Sequence, residues 1–173
     1  NAGADTGPSG IRDYDVCFSS VNTGCTNIAG TITQTANTLR TATATATGMT
    51  AGSTYYTCVR ANDVAGNVGS WSCSDGFTHD ATPPVNPATT DIADLSLAVS
   101  DKDWSNSTTA LSASWNAGSD AISGVRDYDV CFSTVGNGCS AIPGTSMQTG
   151  NTSRTATATA TGMTAGPTYY TCI

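Results

Sequence analysis

The sequence predicts an all-β protein made of tandem antiparallel β-sandwiches that are clipped by disulfide bonds. Within residues 40–61, two segments, 41–47 and 55–61, alternate between two kinds of side chain with the period of two that places neighbours on opposite faces of a strand, and residues 48–52 turn the chain between them. This stretch returns almost unchanged over residues 154–173, so the chain contains one structural unit twice. No part of the 173 residues shows the periodicity of an amphipathic helix.

The two copies are related by a constant offset. Cys17 and Cys131 are 114 positions apart, and residues 9–58 differ from residues 123–172 at twelve of fifty positions. A unit of this size is long enough to bury its own core. The first copy lacks its opening strands and the second its closing hairpin. We therefore expect a window of a longer polypeptide whose repeats stack end to end.

The domain organisation follows from this repeat and from a stretch rich in proline. We expect β-sandwich repeat 1 over residues 1–82, a linker over residues 83–90 and β-sandwich repeat 2 over residues 91–173. Three prolines fall between residues 79 and 90, where no pattern of core residues is present. Such a composition is typical of a short, fairly stiff linker.

Repeat 1 is expected to contain a series of strands that begins at residues 12–19. Alternation places Tyr14, Val16 and Phe18 on the core face of that strand and Asp13 and Asp15 on its solvent face. Three further strands are predicted over residues 41–47, 55–61 and 71–77. The stretch between the first two strands is expected to contribute the core contacts Ile28 and Ile32.

Repeat 2 is expected to open with two further strands. The first carries Ile92, Leu95, Leu97 and Val99, and the second carries Leu111, Ala113 and Trp115. In the strands at 41–47 and 155–161 the threonines form a ladder of hydroxyls on one face, and small alanines face the core. One buried cluster is expected to combine residues from several strands of the repeat, namely Trp115, Tyr128, Val130, Met163 and Tyr169.

The order of these features resembles the fibronectin type III domain and its immunoglobulin-like relatives. The resemblance is carried by Trp115, by the YDV motif at residues 128–130, by the GMTAGPTYY corner at 162–170 and by the VRANDVAGNV stretch at 59–68. It implies that one tyrosine anchors each corner below a methionine, with Tyr55 below Met49 and Tyr169 below Met163. The repeat is longer than the usual module of this family and adds two cysteine pairs to it.

The chain contains seven cysteines, and their positions follow the 114-residue repeat. A complete repeat holds four of them, which indicates two disulfide bonds and an oxidising compartment. A zinc site is the rival interpretation, but the chain has no CxxC pair and one histidine, His79. A cross-strand Cys17–Cys58 bond remains an alternative to local pairing. The expected local bonds are Cys17–Cys25, Cys58–Cys73 and Cys131–Cys139, with Cys172 awaiting a partner beyond residue 173.

Charge and composition exclude several classes of partner. Charged residues make up 11% of the chain, and the net charge of −7 includes six scattered Lys and Arg, so no nucleic-acid surface is expected. No apolar run reaches the length of a membrane span. We expect no cofactor and no catalytic residue, since the Asp13 and Asp15 pair is placed on an exposed strand face. Asp91 and Asp94 are weak candidates for a calcium site.

These features favour a non-enzymatic role outside the cell. The interpretation is a structural or adhesive repeat region of an extracellular filament, stalk or surface protein. Its partners would be neighbouring copies of itself, with cell-surface or glycan ligands in addition. The alternative is an accessory module of a secreted carbohydrate-active enzyme. An exposed aromatic row would favour that alternative, and Tyr56 and Trp71 are its two candidates.

Overall fold

A computed structural model describes residues 6–95 and 101–173 of the chain. Over these residues the protein is nearly all-β, with antiparallel strand pairing throughout, which confirms the predicted class. The chain divides into two compact units, the first ending at Thr82 and the second beginning at Pro83. None of the helical turns in the described part is long and apolar enough to cross a membrane.

The first unit is organised around two long neighbouring strands. The five strands of this unit are β1 (Ile11–Ser19), β2 (Gln34–Asn37), β3 (Thr54–Asp63), β4 (Ser72–Cys73) and β5 (Phe77–Thr78). Strand β1 pairs with β3 at eight positions, and the register shifts between Ile11 and Asp13, where a bulge interrupts the ladder. The sheet has the order β2-β1-β3-β4, and β5 pairs with the other end of β3.

The second unit contains two three-stranded sheets, with the orders β10-β7-β6 and β11-β8-β9. A single 3-10 turn, Thr89–Asp91, precedes its first strand within the described residues. Leu97 and Val99, which the sequence places in the first strand of this repeat, lie outside the described residues, so that part of the expectation stays a prediction. The six strands are β6 (Ile92–Asp94), β7 (Ala110–Trp115), β8 (Tyr128–Ser133), β9 (Gln148–Asn151), β10 (Thr155–Thr159) and β11 (Tyr170–Cys172).

One buried cluster joins the two sheets of the second unit. Trp115, at 2% exposure, is the largest of its members and meets Tyr128 edge-on with 5.6 Å between ring centroids. Edge-to-face contact is a favourable arrangement for aromatic rings. Tyr128, Met163 and Tyr169 are half-buried against this cluster, so the predicted set is brought together with three members at its margin. The cluster consists of Leu111, Ala113, Trp115, Val130, Phe132, Ile142, Ala156 and Ala160.

The repeated threonine–alanine stretch is a strand in one unit only. In the second unit β10 pairs with β7, whereas residues 41–47 of the first unit form no strand, which corrects the prediction for that copy. Both copies are nevertheless held by side-chain amides. Gln34 donates to the Thr43 carbonyl at 2.6 Å, and Gln148 donates to the Thr157 carbonyl at 2.8 Å. The threonine–alanine sequence therefore forms a β-strand only where a partner strand such as β7 pairs with it.

Both tyrosine corners are formed. The hydroxyl of Tyr55 accepts a hydrogen bond from the Thr50 backbone N–H, and the hydroxyl of Tyr169 accepts one from the Thr164 N–H. A tyrosine that closes the corner before a strand in this way is a hallmark of immunoglobulin-type sandwiches. In each unit the corner tyrosine expected from the sequence is therefore bonded to the residue that follows the methionine.

Two further expectations for the first unit need correction. Ile32 is 74% exposed, while Ile28 is buried as predicted, because the turn at residues 28–31 directs only one of the two inward. The last strand is broken between β4 and β5. The pairing register with β3 shifts by one residue there, since Cys73 is opposite Cys58 and Phe77 is opposite Tyr55, and Gly76 between them has a φ of 90°.

Residues 83–90, expected as a linker, contain a paired segment. Val85 and Ser119 exchange two backbone hydrogen bonds, of 2.8 and 2.9 Å, in an isolated antiparallel bridge. Gly118 lies beside this bridge. A Cβ at Gly118 would approach the Val85 carbonyl oxygen to 2.6 Å, so a larger residue would push the two segments apart. This part of the proline-rich stretch is therefore anchored to the second unit.

Candidate functional site

The acidic pair of the first strand is buried, which corrects its predicted place on a solvent face. Asp13 and Asp15 are 5% and 4% exposed. Alternation assigned both to one face of β1, and the register places Asn62 and Arg60 of β3 directly opposite them. Because β3 brings an amide and a guanidinium to that face, the face is covered by polar side chains instead of water.

Every carboxylate oxygen of this pair accepts a hydrogen bond. Asn62 Nδ2 donates to Asp13 Oδ1 at 2.7 Å and to Asp15 Oδ1 at 3.1 Å. The second oxygens accept from arginine, with Arg12 Nε bound to Asp13 at 2.7 Å and Arg60 Nε bound to Asp15 at 2.9 Å. The amide of Asn62 and then the guanidinium of Arg12 hold the pKa of Asp13 below its ordinary value.

This arrangement is suited to holding strands together and poorly suited to proton transfer. A catalytic carboxyl needs room for a substrate and usually a pKa raised toward the working pH. Asp13 has a lowered pKa, and the oxygens of Asp13 and Asp15 already have partners within the protein. The cluster therefore ties β1 to β3 through charge-assisted hydrogen bonds.

The two aromatic residues singled out from the sequence do not form a free row. The guanidinium of Arg60 lies 4.6 Å from the centre of the Trp71 ring, which is a cation–π distance. Trp71 and Tyr56 are both half-buried, and Gly76 packs against the Tyr56 ring. Trp71 thus extends the polar cluster of Asp15 and Arg60 and has one face engaged.

A third aromatic residue, missed by the sequence reasoning, is far more accessible. Trp104 is 92% exposed, the highest fraction among the large hydrophobic residues of the described chain. It borders a groove of about 880 Å³ between the loop at residues 102–107 and strands β7 and β10. The available signal was its position as a lone aromatic among polar neighbours, which no strand or helix pattern explains.

The weak calcium candidates are only partly described. Asp94 is half-buried and accepts a hydrogen bond from the Thr171 hydroxyl, and its backbone N–H donates to Asp101 Oδ1 at 2.9 Å. Burial raises the pKa of Asp94, and the neighbouring charge of Asp101 adds to the effect. The Asp91 side chain lies outside the described residues. Across residues 6–95 and 101–173, no group of three or more acidic, His or Cys side chains could hold a metal ion.

The disulfide bonds expected from the sequence are present. They join Cys17 to Cys25, Cys58 to Cys73 and Cys131 to Cys139. Cys17 and Cys58 are registered neighbours on β1 and β3, as the alternative pairing required, but each is bonded locally. Cys172 carries a free thiol whose pKa is raised by burial, and its expected partner beyond residue 173 stays a prediction.

Comparison with known proteins gives one informative similarity. The chain is 33% identical over 124 residues to Exoglucanase B of Cellulomonas fimi, a match that covers 72% of this chain. The same match covers 10% of the exoglucanase, so the chain spans a small fraction of that protein's length. No family model matches the chain, and no solved structure matches it.

Proposed function

We propose that this chain is a non-catalytic accessory module of a secreted carbohydrate-active enzyme, of the kind that acts on glucans. The similarity to an exoglucanase carries the proposal. The 124 matched residues exceed one 114-residue repeat yet make up a tenth of the enzyme. The similarity is therefore on the scale of repeated modules within a much larger polypeptide.

The proposed architecture is a pair of fibronectin type III-like or immunoglobulin-like sandwiches. The tyrosine corners at Tyr55 and Tyr169 and the two-sheet core of the second unit support it. The proposed boundaries keep residues 1–82 and 91–173 as the two repeats. In this architecture the faces and loops are free to contact a substrate while the cores stay closed.

The non-catalytic part of the proposal is supported by the acidic residues. Asp13 and Asp15, the one acidic pair that recurs in both repeats, are engaged by Asn62 and arginine in the first unit. The extracellular part is supported by the three disulfide bonds, which persist in oxidising compartments.

A stalk or filament role is the second candidate, and the near identity of the two repeats favours it. Neighbouring copies of the chain would then be its partners. Sedimentation of the purified chain over a hundred-fold concentration range tests this role. Self-association that grows with concentration supports a filament, whereas a constant monomer mass leaves the accessory role favoured.

The accessory role is tested by joining the full chain to the catalytic domain of an exoglucanase. The control fusion joins the same catalytic domain to an unrelated spacer of equal length. We expect faster sugar release from insoluble cellulose with the chain present, and equal rates on a soluble cello-oligosaccharide. Equal rates on both substrates, or sugar release by the chain alone, would overturn the proposal.

A further inference from the structure

We propose that Trp104, together with the outer hydroxyls of β7 and β10, forms a binding site for a single glucan chain. The inference rests on the proposed function and names the surface through which the module would contact its substrate. The site lies wholly within the second unit, in the groove of about 880 Å³. A groove of this volume falls within the range found for ligand sites in proteins.

The indole of Trp104 is the apolar part of the site. At 92% exposure its ring is almost entirely in contact with water, unlike Trp71 and Trp115, which are packed against other residues. Covering such a ring with an apolar surface releases water and is favourable in proportion to the area covered. A ligand with one flat apolar face would therefore gain from lying on Trp104.

The polar part of the site is a set of hydroxyls on the adjoining strands. Ser112 and Thr157 are paired across β7 and β10, and Thr159 follows on the same face of β10. These three side chains line the groove, and their hydroxyls make no hydrogen bond to any other side chain or backbone group in the described part of the protein. Each hydroxyl can therefore donate a hydrogen bond to a ligand and accept one from it.

The loop that carries Trp104 is fixed by its own hydrogen bonds. Ser105 Oγ accepts from the Ser107 N–H at 3.0 Å, and Ser107 Oγ accepts from the N–H groups of Thr109 and Ala110 at 3.2 and 2.8 Å. These bonds connect the loop to the start of β7. The indole and the Ser112 hydroxyl thus lie on one continuous backbone segment, which lowers the ordering cost of binding.

The chemistry of this surface fits a neutral sugar polymer. In a glucose ring the hydroxyls project around the rim while C–H groups fill both faces, so the ring can stack on an indole and hydrogen-bond sideways. Among the described residues that line the groove, Lys102 is the one that carries a charge, and none carries a carboxylate. Lys102 does not select against an anionic polymer, so the choice of an uncharged glucan rests on the proposed function.

The test is calorimetric titration of the full chain with cellohexaose, a soluble chain of six glucose units. We expect Trp104→Ala to weaken binding by about ten-fold or more, as the loss of one stacked ring typically does. Thr157→Val keeps a β-branched side chain and should weaken binding by about three-fold or more through loss of one hydroxyl. Thr43→Val is its matched control, since Thr43 occupies the same repeat position in the first unit and should bind normally.

Trp71→Ala is the second control, because it removes an indole that is already packed on Arg60. The inference is overturned if cellohexaose does not bind, if Trp104→Ala binds as tightly as the parent, or if Trp71→Ala weakens binding as much. The fusion with an exoglucanase domain separates the two proposals. A gain on insoluble cellulose that survives Trp104→Ala rejects this site and keeps the accessory role. Cellohexaose binding without any gain keeps the site and rejects that role.

Discussion

The hydroxyl of Tyr55 accepts a hydrogen bond from the backbone N–H of Thr50 at 2.8 Å, and Tyr169 repeats the contact with Thr164 at 2.9 Å. The two corners differ in burial. Tyr55 is 6% exposed, whereas Tyr169 is half-exposed at the edge of the second core. The same tyrosine–backbone hydrogen bond is therefore present at a buried tyrosine in the first unit and at a partly exposed tyrosine in the second.

Tyr55→Phe should destabilise the first unit by about 1–2 kcal/mol, because it leaves the Thr50 N–H without its acceptor in a poorly hydrated corner. Tyr169→Phe is the matched variant and should cost less, since water can replace the lost hydroxyl there. Urea unfolding followed by circular dichroism measures both free energies. Equal losses in the two variants would show that burial does not set the strength of the corner.

Removal of the Cys58–Cys73 bond should destabilise the first unit more than removal of Cys17–Cys25. The two bonds close loops with sequence separations of 15 and 8 residues. Loop-closure entropy predicts losses of about 3 and about 2.5 kcal/mol. Double alanine variants compared by urea unfolding test this order, and a larger loss for the shorter loop would contradict the entropic account.

Asp13→Asn should destabilise the first unit at neutral pH. The pKa of Asp13 is lowered in the folded protein, so its ionised form contributes stability above the ordinary carboxyl pKa of 3.8, and that contribution is lost as the pH falls through the folded pKa. The difference between parent and variant should therefore shrink steadily below pH 3.8. Unfolding free energies measured between pH 2 and pH 7 give this curve.

Asp127→Asn is the control for that experiment, because Asp127 is the equivalent of Asp13 in the second repeat. Its side chain is 22% exposed against 7% for Asp13, and Arg126 is its ion-pair partner. We expect a smaller loss of unfolding free energy at neutral pH for this variant, because its carboxylate is more exposed. An equal loss at neutral pH in both variants would show that the Asn62 bridge contributes nothing.

Asp94→Asn should have the opposite sign and stabilise the second unit at pH 7. Burial raises the pKa of Asp94, so ionisation opposes folding above the raised pKa, and this cost disappears below 3.8. An asparagine oxygen can still accept from the Thr171 hydroxyl. The gain should fade as the pH approaches 4, whereas Asp103→Asn, an exposed change of equal charge, should give no comparable gain.

The core was predictable because a strand has a period of two. Trp115 and Val130 were assigned inward from alternation alone and are 2% and 0% exposed. The tyrosine corners were likewise predictable from a local motif. Alternation also assigned Asp13 and Asp15 correctly to one face. It could not show that Asn62, almost fifty residues later, covers that face.

Two other features depend on information that a local pattern does not contain. Residues 41–47 and 155–161 are identical, yet only the second copy forms a strand, because pairing depends on β7. Trp104 belongs to no periodic segment, so its exposure follows from the course of the loop around it. Strand formation at an edge and exposure in a loop are set by distant contacts.

The two disulfide bonds of the first unit also determine how far it can lengthen under tension. A fully extended chain has a contour length of about 3.4 Å per residue. Residues between Cys17 and Cys25 and between Cys58 and Cys73 are bypassed by covalent bonds. Their separations of 8 and 15 residues, less the span of the two bridges, withhold about 70 Å of contour length. After its sheets have come apart, the module is therefore a shorter tether than the same chain without these bonds would be.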